Sequence, residues 1–202
     1  MPALVNKIAS RYLPIMTADG ADQTAEMLIH LARLAQSGGG DLTSAQWTAL
    51  RFFARANRFS RTPSAFSQFH ATTRGTASQT VKSLVAMGLL ERHRSDTDGR
   101  SVRYDPTPAG HAALRRDPLM ALVNALARLP DEDREKLRRS LAAAAGEVAE
   151  ARETARFGTC DDCAHLEATQ DEGGYCRCAA SMLSPEELGA LCVDFGPRTA
   201  SG

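Results

Sequence analysis

Apolar residues recur at helical spacing over most of this chain. From Ala21 to Gln36, Met27, Leu28, Leu31 and Leu34 fall three and four apart, which predicts an amphipathic helix stopped by Gly38-Gly39-Gly40. A second helix opens on Thr43 with Gln46 three residues on, the pairing of a capping box, and takes Trp47, Leu50, Phe52 and Phe53 as its apolar residues. Thr62-Pro63 starts a third, with Pro in its first turn and Phe66, Phe69 and Ala71 as candidates for burial. Thr73-Arg74-Gly75 reads as a turn. Thr76 to Met87 reads as a fourth helix that buries Val81, Leu84 and Val85 and ends at Gly88.

The period then changes. Leu89 to Arg94 begins apolar and turns polar, as a short strand does; Ser95 to Gly99 is a polar turn; Ser101 to Tyr104 returns as the paired strand; and Pro106 and Pro108 close the hairpin. Two helical stretches follow, Ala109 to Leu129 with an irregularity at Asp117-Pro118, and Asp131 to Arg156 with an acidic first turn. Their leucine stripe fits plain core packing or a dimer seam. Beyond Phe157 the chain becomes rich in Cys, Gly and acidic residues.

The pattern predicts a mainly α protein with a small β-hairpin wing: a winged helix-turn-helix between N- and C-terminal dimerisation helices, plus a small Cys-rich C-terminal lobe. The expected boundaries are 1–40 for the N-terminal dimerisation helices, 41–108 for the winged helix-turn-helix, 109–157 for the C-terminal dimerisation helices and 158–202 for the lobe.

Composition leaves that picture intact. The 202 residues are 43% hydrophobic and 24% charged, an ordinary globular balance. No apolar run approaches the roughly 20 residues of a membrane span. The first 16 residues lack a basic-then-apolar secretion pattern, so a cytoplasmic protein is expected.

Charge adds more. The net charge is zero, but Arg51 to Arg103 holds ten basic residues against three acidic, and Gly158 to Gly202 holds two basic against eight acidic. A basic middle and an acidic tail cancel in sum and not in space. In a helix-turn-helix the second helix of the pair enters the major groove. Here that helix carries Thr76, Ser78, Gln79 and Lys82, with Arg74 just ahead of it. Gln pairs bidentately with adenine, and Ser and Thr are adaptable. Arg74 and Lys82 suit phosphate, while Arg94 and Arg100 at the hairpin tip suit the adjacent minor groove or backbone.

These segments resemble the MarR family of regulators over roughly residues 21–157. The resemblance rests on LTSAQWTALRFFARA, on TASQTVKSLVAMGLLERHRSDTDGRSVRYDPTPAG and on LPDEDREKLRRSL. It implies a homodimer formed by the terminal helices, bound to double-stranded pseudo-palindromic operator DNA and usually repressing. It places Asp98 and Arg100 in the wing, with Arg100 near the minor groove, and allows a small-molecule effector between the dimerisation helices and the reading head. The reading helix departs from the family's common pattern, which often carries Arg where Gln79 and Ser83 stand here.

All five cysteines, Cys160, Cys163, Cys176, Cys178 and Cys192, lie in the last 43 residues. Clustering of this kind in a reducing compartment favours metal or redox chemistry over disulfides. A CxxC turn lets two thiolates chelate one centre, and two more complete a tetrahedral site, so structural zinc is one reading. The other is a [4Fe–4S] cluster on Cys160, Cys163, Cys178 and Cys192, with Cys176 as an alternative ligand. Without Cys176 the spacing is C-x2-C-x14-C-x13-C, which is similar to that of high-potential iron–sulfur proteins, with Tyr175 and Phe195 as nearby aromatics. Thiol switching without a metal is a third reading and requires a low-pKa cysteine. His165, two residues past Cys163, is a further candidate ligand.

No nucleophilic triad, carboxylate pair or Gly-rich phosphate loop occurs, so no enzyme is expected. The expectation is a DNA-binding regulator of repressor type, with the cluster as its redox sensor. Fixed to the end of the last dimerisation helix, the cluster would couple its oxidation or loss to the spacing of two reading heads. The alternatives are a ligand-responsive regulator with structural zinc, and an electron-transfer subunit with a helical docking module; the latter would have no use for a basic reading helix.

Overall fold

A computed structural model describes residues 20–37, 40–94, 102–169 and 173–198. They form two compact units. One holds helix α1 (Ala21–Gln36) and residues 118–126, which include most of helix α6 (Met120–Ala127). The other runs over residues 41–117 and from 127 onward. Along α1, Met27, Ile29 and Leu34 are more than half exposed.

The second unit is built on three helices: α2 (Ser44–Arg55), α3 (Pro63–Phe69) and α4 (Arg74–Ala86). Thr43 and Gln46 form the predicted capping box on α2, and Thr62 caps α3 through the Ala65 N–H. Residues Thr73 to Gly75 are not a turn before α4. Thr73 is its N-cap and accepts from Thr76 N, so Arg74 and Gly75 are the helix's first residues. A Thr with an extended backbone and a free Oγ one turn ahead of a donor starts a helix earlier than the apolar period suggests.

Leu50, Phe52, Phe53, Phe66, Val81, Leu84 and Leu90 are essentially inaccessible and form the core of the head. Phe69 stays about one-third exposed and meets Phe157 edge-on at 5.1 Å; Ala71 is exposed at φ 48°; Val85 is exposed as well. The third helix thus buries Phe66 as expected, with Ala65 and Ser67 beside it. Ala71 lies beyond the end of the helix, after its C-cap His70.

Strands β1 (Leu90–Arg94) and β2 (Val102–Pro106) pair antiparallel, with Arg94 opposite Val102. The hairpin tip, including Asp98 and Arg100, lies outside the described residues. Helix α5 (Pro108–Leu114) follows at once, capped by Thr107. The helical stretch expected over 109–129 breaks at the irregularity expected around Asp117-Pro118: residues 115–119 separate the two helices, and Asp117 pairs with Arg51 at 3.1 Å, nearly buried. Helix α7 (Asp131–Ala151) stops five residues short of Arg156.

Gly110 is fixed by contact. A Cβ there would lie 2.2 Å from the Leu89 carbonyl oxygen, which also accepts from Thr107 N at 3.1 Å. We expect Gly110→Ala to pry the hairpin base from α5 and cost about 3 kcal/mol, the upper end for overpacking. A urea midpoint unchanged from wild type would refute this.

The lobe begins at Phe157, whose ring packs into the head's core. Strand β3 (Gly158–Thr159) pairs with β7 (Leu191–Cys192), and β4 (Leu166–Ala168), β5 (Gly174–Cys176) and β6 (Ser181–Leu183) make a three-stranded antiparallel sheet. A 3-10 turn, Cys160–Asp162, and the short helix α8 (Pro185–Leu188) complete it. The lobe core is small: Cys160, Leu183 and Cys192, with Leu166, Cys176, Leu188, Phe195 and one head residue, Phe59, against them.

Candidate nucleic-acid interface and cysteine centre

Ala77, Val81 and Leu84 turn one face of α4 into the core. The opposite face is set by the same period. It exposes Arg74, Thr76, Gln79 and Lys82, with Ser78 half-buried beside them. Arg94 is exposed at the open end of β1. Of the predicted contact residues, six are therefore described on or beside this face, and Arg100 lies in the undescribed tip. Ser83 is committed elsewhere: its Oγ accepts from Gln46 Nε2 at 3.0 Å and donates to Thr80 O at 2.9 Å. Thr76 Oγ1 is held 2.9 Å from Thr73 Oγ1.

The five cysteines are free thiols. Cys160, Cys163 and Cys192 are buried, Cys176 is half-buried and Cys178 is exposed. They line two adjoining cavities. One is bounded by Cys160, Cys163, Cys176 and Cys192, with His165 and Asp194 at its edge. The other shares Cys160, Cys176 and Cys192 and adds Cys178, Asn57 and Phe59. Cys176 borders both, and its Sγ accepts from Ala179 N at 3.4 Å; Cys178 borders only one. Among the described residues, no three His, Cys, Asp or Glu groups meet closely enough to hold a single metal ion.

Burial dominates the thiol chemistry. It pushes the Cys160 thiol up to about 11, against a lowering bond from Asn57 and with further raising by the charges of Cys192, Cys176 and Cys163. Burial also raises Cys192 and Cys178. A reactive switch thiol is depressed by cationic neighbours; these move the other way. Deprotonating a thiol of this kind takes a partner such as a metal ion. The cysteine sulfurs form a soft donor set of the type that suits zinc or an iron–sulfur cluster, with His165 and Asp194 at the cavity edge.

The helix-turn-helix and its first wing strand now bear comparison with known proteins. Residues 40–101 match the model of the MarR family. That family consists of transcription regulators, not enzymes. The fold agrees: a MarR transcriptional regulator from Methanosarcina mazei Go1 superposes with a TM-score of 0.52 at 19% identity, over 64% of this chain and 99% of that one. The transcriptional regulator SlyA gives 0.53 at 19%, over 64% and 96%. No curated protein matches the sequence.

The cysteine lobe lies outside the matched MarR segment and is seated on it. Ala56 bridges to Leu191 in parallel, and Leu191 and Val193 pack against the core of the head. This mounting differs from a lobe carried only by the end of the last long helix. Asn57, Arg58, Phe59, Ser60 and Arg61, which make the junction, carry no sequence signal beyond a polar turn between two helices. A separate, larger concavity, of about 770 Å³, opens between α7, the head and the lobe; it is lined by Ala142, Gly146, Phe157 and Phe195, with Arg138 and Arg198 among its charges. Among the described residues no helix is long and apolar enough to cross a membrane.

Proposed function

We propose that this chain is a DNA-binding transcription regulator of MarR type, acting as a homodimeric repressor on a pseudo-palindromic operator, with a [4Fe–4S] cluster in its lobe as redox sensor. The observation that carries the DNA-binding part is the exposed row Arg74, Thr76, Gln79 and Lys82 on α4, next to a hairpin ending in Arg94. Gln79 is suited to reading a base edge, Arg74 and Lys82 to holding phosphates, and Arg94 to steadying the wing on the backbone.

The sensor part rests on five thiols round two joined cavities with Cys160, Cys163 and Cys192 buried. Five thiols around two adjoining cavities supply enough sulfur for the four corners of a [4Fe–4S] core. When bound, a cluster supplies a one-electron couple whose potential follows charge, hydrogen bonding and exposure. Cys160, Cys163 and Cys192 would be three of its ligands. Cys176, which borders both cavities, competes with Cys178 for the fourth place.

The 770 Å³ concavity favours a second reading, a small-molecule effector held beside α7 with the metal purely structural.

Fluorescence anisotropy on a duplex from upstream of the protein's own gene, at several salt concentrations under anaerobic conditions, tests the main reading. Affinity should fall steeply with salt, since each phosphate contact contributes about 0.9 to the log–log slope. Absent or salt-independent binding would refute DNA recognition. Colourless, iron-free anaerobic protein would refute the cluster alone.

A further inference from the structure

The turn 56–61 between α2 and α3 belongs to the helix-turn-helix by sequence and to the lobe by contact. On the lobe side, Asn57 N donates to Leu191 O at 2.8 Å, and Val193 N donates to Ser60 Oγ at 3.0 Å. Arg58 grips Glu187 at 2.6 Å, and its second amino group donates to Ser181 Oγ at 2.8 Å. Asn57 Nδ2 donates to Cys160 Sγ at 3.9 Å, and the Phe59 ring walls the cavity that holds Cys176 and Cys178.

On the hairpin side, Arg61 O accepts from Tyr104 N at 3.0 Å, and the Arg61 guanidinium pairs with Asp105. Both partners are on β2. The guanidinium of Arg103, also on β2, lies 5.8 Å over the Phe59 ring. Inside the turn, Asn57 Oδ1 accepts from Phe59 N at 3.1 Å and Ser60 N at 2.9 Å, and Arg61 Nε donates to Ala56 O at 2.9 Å. Asn57 and Ser60 are 2% and 0% exposed. These bonds tie the turn to the lobe on one side and to β2 on the other, so a displacement at one end is carried to the other.

We propose that this turn is the relay by which the state of the cysteine cavity reaches the wing, with Asn57 as the positioning residue on the sulfur side and Arg61 on the hairpin side. The proposal rests on the reading of the lobe as a cluster site. A centre bound at Cys160 would fix the sulfur that Asn57 Nδ2 meets and hold the Phe59 ring at the cavity wall. Loss of the centre would free both. The turn then shifts as one piece, and β2 moves with Arg61. Two states of one element, biased at one end by the centre and at the other by DNA, are what coupling requires.

The test compares operator affinity of the full chain, by anisotropy, with its centre loaded and after stripping by chelator and mild oxidation, with iron content and visible absorbance recorded each time. Wild type should differ by about tenfold or more between the two states, within the usual range of such coupling. Arg61→Ala should keep its iron while the ratio shrinks to about twofold or less. Arg61→Lys, a milder change that keeps the charge and loses the fork joining Ala56 O to Asp105, should do the same. Amide exchange over residues 102–106 should rise on stripping in wild type and not in the variants. Iron-loaded variants with the wild-type ratio would overturn the relay, as would equal wild-type affinities in the two states. Iron-free protein would overturn only the cluster reading, and the same ratio would then be read with Zn2+ added and removed.

Discussion

Cys192→Ser is expected to leave less than one iron per chain where the proposed [4Fe–4S] centre would give about four in wild type. Cys192 is 7% exposed, borders both cavities and sits on β7, the strand that pairs with the lobe's entry strand. A hydroxyl in its place is a hard, weakly acidic donor, and the buried site has no solvent to compensate for the lost thiolate. Cys178→Ser should retain most of the iron if Cys176 is the fourth ligand, because Cys178 lies at the exposed rim of one cavity. Anaerobic iron analysis with visible spectra reads both results. Full iron in Cys192→Ser would remove the proposed ligand set, and loss of iron in Cys178→Ser with retention in Cys176→Ser would restore the C-x2-C-x14-C-x13-C spacing.

The second large effect is on the reading face. Gln79→Ala should weaken binding to the operator by about 1–3 kcal/mol per recognised base and relax the preference at that base pair. Binding to unrelated duplex should hardly change. Lys82→Ala should weaken all duplexes alike and lower the salt slope by about 0.9 for each head that loses a phosphate contact. Both residues are exposed on the same face of α4 and project from the side opposite Ala77, Val81 and Leu84, so neither change disturbs the core. Titrations of both variants against operator and random duplex separate the two roles. Uniform weakening by Gln79→Ala would make Gln79 a backbone contact.

The head was legible in the sequence because its signals are local. The capping box at Thr43 and Gln46, Pro63 at the start of α3, and the apolar period of α4 each specify an element from residues within one or two turns of it. The errors have the same origin. Thr73 caps through its own side chain, which a hydrophobic period does not register, so α4 was expected two residues late. Phe69 looked like core because it is aromatic, yet it ends α3 and meets Phe157, while Ala65, Phe66 and Ser67 turn inward. The cysteine spacing pointed to a shared centre. It did not tell Cys176 from Cys178, because burial depends on how β5 and the turn after it pack. The junction was invisible. Asn57 and Ser60 look like any polar turn, and their partners Cys160, Leu191 and Val193 lie more than a hundred residues away.

The Ala56–Leu191 bridge and the bonds around it have a practical consequence for anyone cutting or recombining this chain. Truncation after Phe157 would not yield an intact reading head; it would strip Leu191 and Val193 from the head's core and remove the lobe partners of Ser60 and Asn57. Conversely, residues 158–202 transplanted onto another winged helix would arrive without Phe59, the ring that closes their own small core. The transferable cassette is discontinuous: the lobe together with the six-residue turn on which it sits.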